Sequence, residues 1–419
     1  MFETLINALK VKEIRRKIIF TLLILVVVRF GAYIPIPGID SAVLSQIFSN
    51  NGILDIIDTF SGGSLSRFTI FAMSIVPYIN ASIIMTLLTA GFDRLKQIAK
   101  EDNKKIAQYT RYLTLALALV QAIGLTIFIN ASNGFADPNA FTWIVCALTM
   151  TAGAMLLMWL GELINEHGIG NGISLIIFIG IVSRVPVLVN TVMQQVSSGN
   201  THGYMAILLL VALLLAVVGI VAVQQGERRV TVHYAKRVVG RKMYGGQSTF
   251  IPIKLNQAGV IPIIFASSLL ILPGTIVSIF FADTGFAQFF QQWFGVNTPV
   301  YIVFYALLII VFTFFYSVIA FNPADVADNL KKSGGFIPGI RPGKPTSEAL
   351  QKILTRITLF GAIFLAIIAL LPNILGGFIG GMQLQFGGTS LLIAVGVALD
   401  TMKQMESQLL MRHYQGFLK

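Results

Sequence analysis

The stretch 59-TFSGGSLSRFTIFAMSIVPYINASIIMTLLTA-90 decides the fold, because it is apolar enough to enter a membrane yet interrupts itself repeatedly. The Gly62-Gly63 pair followed by Ser64 and Ser66 reads as a helix start, Arg67 sits at the edge of an apolar run, and Pro77 falls inside the helical pattern. The pattern predicts a short helix followed by a longer, bent one. Lipid cannot satisfy freed amide groups, so broken helices at membrane depth occur only where the irregular backbone is buried in protein or lines a cavity. The stretch therefore points to a pathway; the plain alternative is an exposed loop feeding an ordinary Pro-kinked span.

The rest of the chain supplies the setting. Its 419 residues are 55% hydrophobic and 11% charged, with a mean hydropathy of +0.80, which excludes an ordinary soluble domain and predicts an all-α polytopic membrane protein. The single cysteine, Cys146, lies in an apolar run and permits neither a disulfide framework nor a cysteine metal site; it reads as structural filler. Residues 1–17 place Phe2, Leu5, Ile6 and Leu9 at helical spacing among basic residues, as in a helix lying on an anionic membrane surface. No small-residue cleavage site follows the first apolar run, so that run is expected to insert uncleaved.

Apolar runs predict ten spans, near 18–33, 69–90, 112–130, 141–163, 173–189, 205–223, 257–281, 300–321, 357–375 and 384–405. Lys and Arg fall on one set of connections: five at the N-terminus, six after span two, seven after span six, six after span eight and three at the C-terminus. The alternate loops (34–66, 131–140, 190–204, 282–299, 376–388) carry none, apart from Arg29, Arg67 and Arg184 near span ends. The formal charge of +12 is thus segregated to one side, which predicts that both termini are cytoplasmic. Ten spans divide into five and five about the uncharged loop 190–204, and halves of odd number would have to be inverted, with a pathway between them. The halves are 1–189 and 205–419.

No H-E-x-x-H, G-x-S-x-G or P-loop pattern occurs, and the chain is not expected to be an enzyme or to need a cofactor or metal. Glu162, Glu166 and His167 at the end of span four are the nearest thing to an ion-coupling group. They keep open an ion-coupled secondary transporter, although a span end near water suits interfacial charge better than a proton relay. The two long cytoplasmic loops, about 224–254 and 322–355, are informative. In the first, the alternation Val230, Val232, Tyr234 before a turn predicts a projecting hairpin, whose charge suits RNA, acidic protein or lipid headgroups. The second is rich in Asn-Pro, Gly-Gly, Pro-Gly, Arg-Pro and Lys-Pro turn signals.

The segments FSGGSLSRF, IVPYINASI, GIGNGIS, AGVIPIIFASS, FNPADVADNLKKSGGFIPGIRPG and TSLLIAVGVALD, in that order, resemble the SecY family, the central subunits of the bacterial protein-conducting channel, along essentially the whole chain. The resemblance implies ten helices in two inverted five-helix halves around a pore closed by a short plug helix. It assigns the plug to residues 62–71, including Gly62, Gly63, Ser64, Leu65, Ser66, Arg67 and Phe68, and a ring of apolar side chains to Ile75, Ile79, Ile173, Ile177, Ile264 and Ile393. A four-residue separation puts each of the first two pairs on one helix face, and a ring of branched aliphatics excludes ions by dewetting while yielding to a passing chain. The resemblance also implies a lateral gate between spans two and three and spans seven and eight, with Asn80, Gln121 and Asn256 as polar links worth about 0.6 to 2 kcal/mol each. Docking of the ribosome or the motor ATPase SecA falls to Arg228, Arg229, Lys236, Arg237, Arg241, Lys242 and Arg341. Further implied partners are SecE, SecG, signal sequences, nascent secretory chains and membrane lipid, in the bacterial cytoplasmic membrane.

Overall fold

The computed structural model describes residues 8–39, 58, 61–131, 134–135, 137–198, 203–234, 237–239, 242–244, 248–280, 284–295, 298–378 and 388–416. Within these the protein is overwhelmingly helical. The N-terminal half comprises α1 (Lys12–Gly31), α2 (Val76–Gly91), α3 (Asp93–Glu101), α4 (Asn103–Ala131), α5 (Ala140–His167), α6 (Gly172–Val182) and α7 (Val185–Ser197). After α8 (Gly203–Gln225) come four strands, β1 (Glu227–Tyr234), β2 (Arg237–Val239), β3 (Lys242–Tyr244) and β4 (Ser248–Lys254). The rest of the chain supplies α9 (Ile261–Phe280), α10 (Gly285–Phe294), α11 (Pro299–Ala320), α12 (Pro323–Ser333), β5 (Gly335–Phe336), α13 (Lys344–Phe378) and α14 (Gly388–Gly416).

Each predicted span coincides with a helix, the fifth with the pair α6 and α7, which break at Ser183-Arg184. The stretches 104–131, 140–167, 172–197, 203–225, 299–333 and 344–371 are each long and apolar enough to cross a membrane, while Val76–Gly91 and Ile261–Gly274 are apolar but shorter. The chain is thus a multi-pass membrane protein. Helix ends carry the expected chemistry. Asn171 caps α6 by accepting from the Ser174 N–H at 3.1 Å, Thr298 caps α11 through the Tyr301 N–H at 3.2 Å, and Asn322 caps α12 through the Ala324 N–H at 3.1 Å. Close helix approaches rely on glycine: a Cβ on Gly172 would lie 2.0 Å from the Gly161 carbonyl oxygen, so α5 and α6 touch backbone to backbone.

Three features depart from the sequence expectation. Pro77 stands in the first turn of α2 instead of inside a longer helix, so it frees no carbonyl and makes no kink. The second long loop, 322–355, is shorter than predicted, because α13 begins at Lys344 and α12 fills its first part. The loop 282–299 contains α10, an amphipathic helix whose Phe286, Phe289 and Trp293 are exposed, as suits a membrane–water interface. The first seven residues of the N-terminal segment lie outside the described residues.

Candidate functional site: plug seat, aliphatic ring and cytoplasmic platform

Residues 61–75 form a run of turns rather than a short helix. Gly62 and Gly63 adopt φ of 68° and 86° directly after helical Ser61, so the pair ends a helical turn where a helix start was expected. The segment is pinned along its length. Ile36 N–H donates to the Phe68 carbonyl and Ile70 N–H to the Ile34 carbonyl, both at 3.0 Å, and Thr69 bridges Pro35. Phe68 holds a left-handed φ of 48° while 1% exposed; such backbone persists only where surrounding structure over-determines it. Here Leu65, Phe68, Ala72 and Met73 share an apolar cluster with Leu125, Ile129 and Met150 of the N-terminal half and with Ile271 of α9. Helix α5 presses so close that a Cβ on Gly153 would lie 1.8 Å from the Ile70 carbonyl oxygen.

Charge gathers at the outer end of this segment. The Asp58 carboxylate pairs with the Arg184 guanidinium at the break between α6 and α7, and its Oδ1 accepts from the N–H groups of Leu65 (3.0 Å) and Ser66 (2.8 Å) and from Ser61 Oγ (3.2 Å). Arg29, at the end of α1, donates to the Gly62 carbonyl at 2.9 Å and to the Tyr33 hydroxyl at 3.2 Å. Arg67 lies 4.5 Å above the Tyr33 ring. Arg29 and Arg67 thus both lie against the Tyr33 side chain. These three arginines are the ones the charge count left outside the basic loops.

Inward of the turns, Ile75, Ile79, Ile177, Ile264 and Ile393 are buried in one continuous apolar cluster, with Ile173 half-buried against it. They come from α2 and α6 of one half and from α9 and α14 of the other, so four helices converge on them. Ile79 N–H donates to the Ile75 carbonyl at 3.1 Å, which places this pair on successive turns of one face. The proposed seam residues behave differently. Helix α9 packs against α2 and α4, as a gate would require. Yet Asn256 donates to the nearby Gly259 carbonyl at 2.9 Å, and the buried Oδ1 atoms of Asn80 and Asn256 have no hydrogen-bond partner. Gln121 is half-buried on α4. No hydrogen bond joins these three side chains to one another among the described residues, and the Tyr316 hydroxyl of α11 instead approaches Thr86 of α2 across the same seam.

In the first long basic loop the predicted hairpin forms: β1 pairs antiparallel with β4 from Glu227↔Lys254 to His233↔Ser248, and β2 pairs with β3 beyond it. The second loop joins the same sheet, because β5 pairs with β1 at His233↔Phe336 and Tyr234↔Gly335. Beneath it Val230, Val232, Ile253, Leu330, Ile337, Leu350 and Leu354 form a separate small core. Arg228, Arg229 and Arg341 are exposed on this platform, Arg229 donating to Glu227 at 2.7 Å and stacking 4.7 Å from the Phe250 ring. Arg237 and Lys242 lie on β2 and β3; Lys236 and Arg241 fall outside the described residues. Glu162, a residue that suggested ion coupling, makes a two-point pair with Arg111 at 2.9 Å, and Glu166 and His167 are exposed.

Comparison with known proteins agrees with this architecture. The SecY family model matches residues 69–402. The protein translocase subunit SecY of Bacillus subtilis is 46% identical over 432 residues, spanning all of both chains. Among solved structures, a SecY whose plug domain is described as stabilising the closed state superposes with a TM-score of 0.69 at 18% identity, covering 94% of this chain and 92% of that one. Sec61 in a canine ribosome–channel complex superposes with a TM-score of 0.64 at 17% identity, with the same coverage. With a family model matched over most of its length and full-length relatives at this identity, the chain belongs to the SecY family of protein translocase subunits.

Proposed function

We propose that this chain is a gated, passive protein-conducting channel, without enzymatic activity of its own, that passes unfolded secretory polypeptides across the membrane and releases hydrophobic segments sideways into lipid. The observation that carries the reading is the convergence of Ile75, Ile79, Ile173, Ile177, Ile264 and Ile393, from two helices of each half, on one buried apolar cluster. The turn run 61–75 ends in that cluster, since Ile75 belongs to both. A constriction of this kind passes no hydrated ion while closed, and the segment outside it acts as the plug. The two halves, 1–189 and 205–419, hinge about 190–204 and part at the seam of α2 and α4 with α9. The exposed basic platform supports docking of the ribosome, whose phosphates attract arginine, or of SecA, which drives transport. SecE and SecG complete the assembly, in the bacterial cytoplasmic membrane with both termini cytoplasmic.

The test is conductance and selectivity. Ile79→Asn and Ile264→Asn are expected to raise ion leak in planar bilayers and to admit precursors with defective signal sequences. Unchanged conductance and selectivity in both variants would remove the ring from the mechanism.

A further inference from the structure

Asp58 lies outside the plug as bounded by residues 62–71, yet its carboxylate accepts from two backbone N–H groups of that segment. The same carboxylate accepts from Ser61 Oγ and pairs with Arg184. Its side chain is 4% exposed and that of Arg184 15%. The two side-chain fastenings described, Asp58 to Arg184 and Gly62 to Arg29, both reach the N-terminal half. Towards the C-terminal half the contact is apolar, through Ile271 of α9.

We propose that Asp58 is a positioning residue of the closed channel, and that its pair with Arg184 makes seating of the plug an all-or-none event. This rests on the plug reading above. In the seated state the Asp58 carboxylate lies against Arg184, while Arg29 and Arg67 are held by the Gly62 carbonyl and the Tyr33 ring, and a largely buried carboxylate needs such a partner. A partial withdrawal would strip Asp58 from Arg184 before either group reached external water, leaving two uncompensated charges at low dielectric. Intermediate positions are therefore depleted, and the plug occupies either its seat or the external solvent, as expected of a bistable element. The apolar contact with Ile271 offers no such discrimination, because it weakens gradually with distance.

The closing experiment uses the full-length chain, assembled with its partner subunits, in planar bilayers without substrate. Asp58→Asn keeps an oxygen to accept from Leu65 and Ser66 but removes the charge; Arg184→Gln removes the other. Each is expected to raise the idle open probability about tenfold, the ratio given by about 1.4 kcal/mol, and to add partly conducting levels that the native channel lacks. The double variant should leak no more than the leakier single variant, because both disrupt one pair, while Arg184→Lys should restore most of the closure. Deletion of 62–71 serves as the reference. If the deletion leaks but both single variants stay silent, or if their effects multiply in the double variant, the latch is overturned and the plug stands. If the deletion itself leaves the idle channel tight, the plug reading falls and the latch with it.

Discussion

At the scale of single residues, Gly153 has no room for a methyl group, because the Ile70 carbonyl occupies the space its Cβ would take. Gly153→Ala is expected to cost about 1–3 kcal/mol through overpacking, seen as a lowered unfolding temperature in detergent. Gly219→Ala is the control, since its Cβ would meet only the Phe364 ring at an ordinary 3.6 Å. The six isoleucines were assigned by family resemblance rather than by patterning, and the structure brings them into one apolar cluster. The partners of polar side chains follow no local pattern. Asn80 and Asn256 are polar residues near the seam, but which acceptor an amide finds is decided in three dimensions, and Asn256 found its own backbone. Conversely, Arg29, Arg67 and Arg184 were visible as exceptions to the charge count, and their convergence on Asp58 and the Gly62 turn explains why the exceptions exist.

At the scale of elements, two errors share one cause. Pro77 and Pro345 were read as a kink and a turn, and each stands in the first turn of a helix, where a missing N–H costs nothing and the fixed φ is already helical. Proline reports a helix boundary without saying which side the helix lies on. Strands β1 and β4 were legible as a hairpin from alternation, but β5 was not, because two residues carry no period and their pairing spans about a hundred positions. The small core beneath the sheet is the measurable consequence. Leu350, fully buried there, contributes to both loops. Leu350→Ala is expected to cost about 2–5 kcal/mol locally, and to speed hydrogen exchange of β1 and β5 together while leaving the transmembrane helices protected. Faster exchange in only one of the two strands would show the loops to be independent.

At the scale of the whole molecule, hydropathy and the placement of Lys and Arg predict the number and direction of crossings, because both respond to the bilayer and not to tertiary detail. The orientation is directly testable. In a Cys146→Ser background, Ser197→Cys is expected to react with a membrane-impermeant maleimide in intact cells, and Glu348→Cys only after permeabilisation. Both positions are exposed, so silence reflects sidedness rather than burial. Packing between the halves was beyond the reach of sequence, since five apolar helices on each side can associate in many ways. The aliphatic cluster selects one of them by drawing α2, α6, α9 and α14 to a common centre.

The sheet that joins the two long loops has a mechanical consequence. Strand β1 leaves α8 with only Gly226 between them, and α13 sends Leu350 and Leu354 into the same core. A load borne at the β1–β4 sheet therefore passes straight into the membrane helices. It reaches two helices of the C-terminal half at once, through a stiff crank, and arrives there as torque on that half against its fellow.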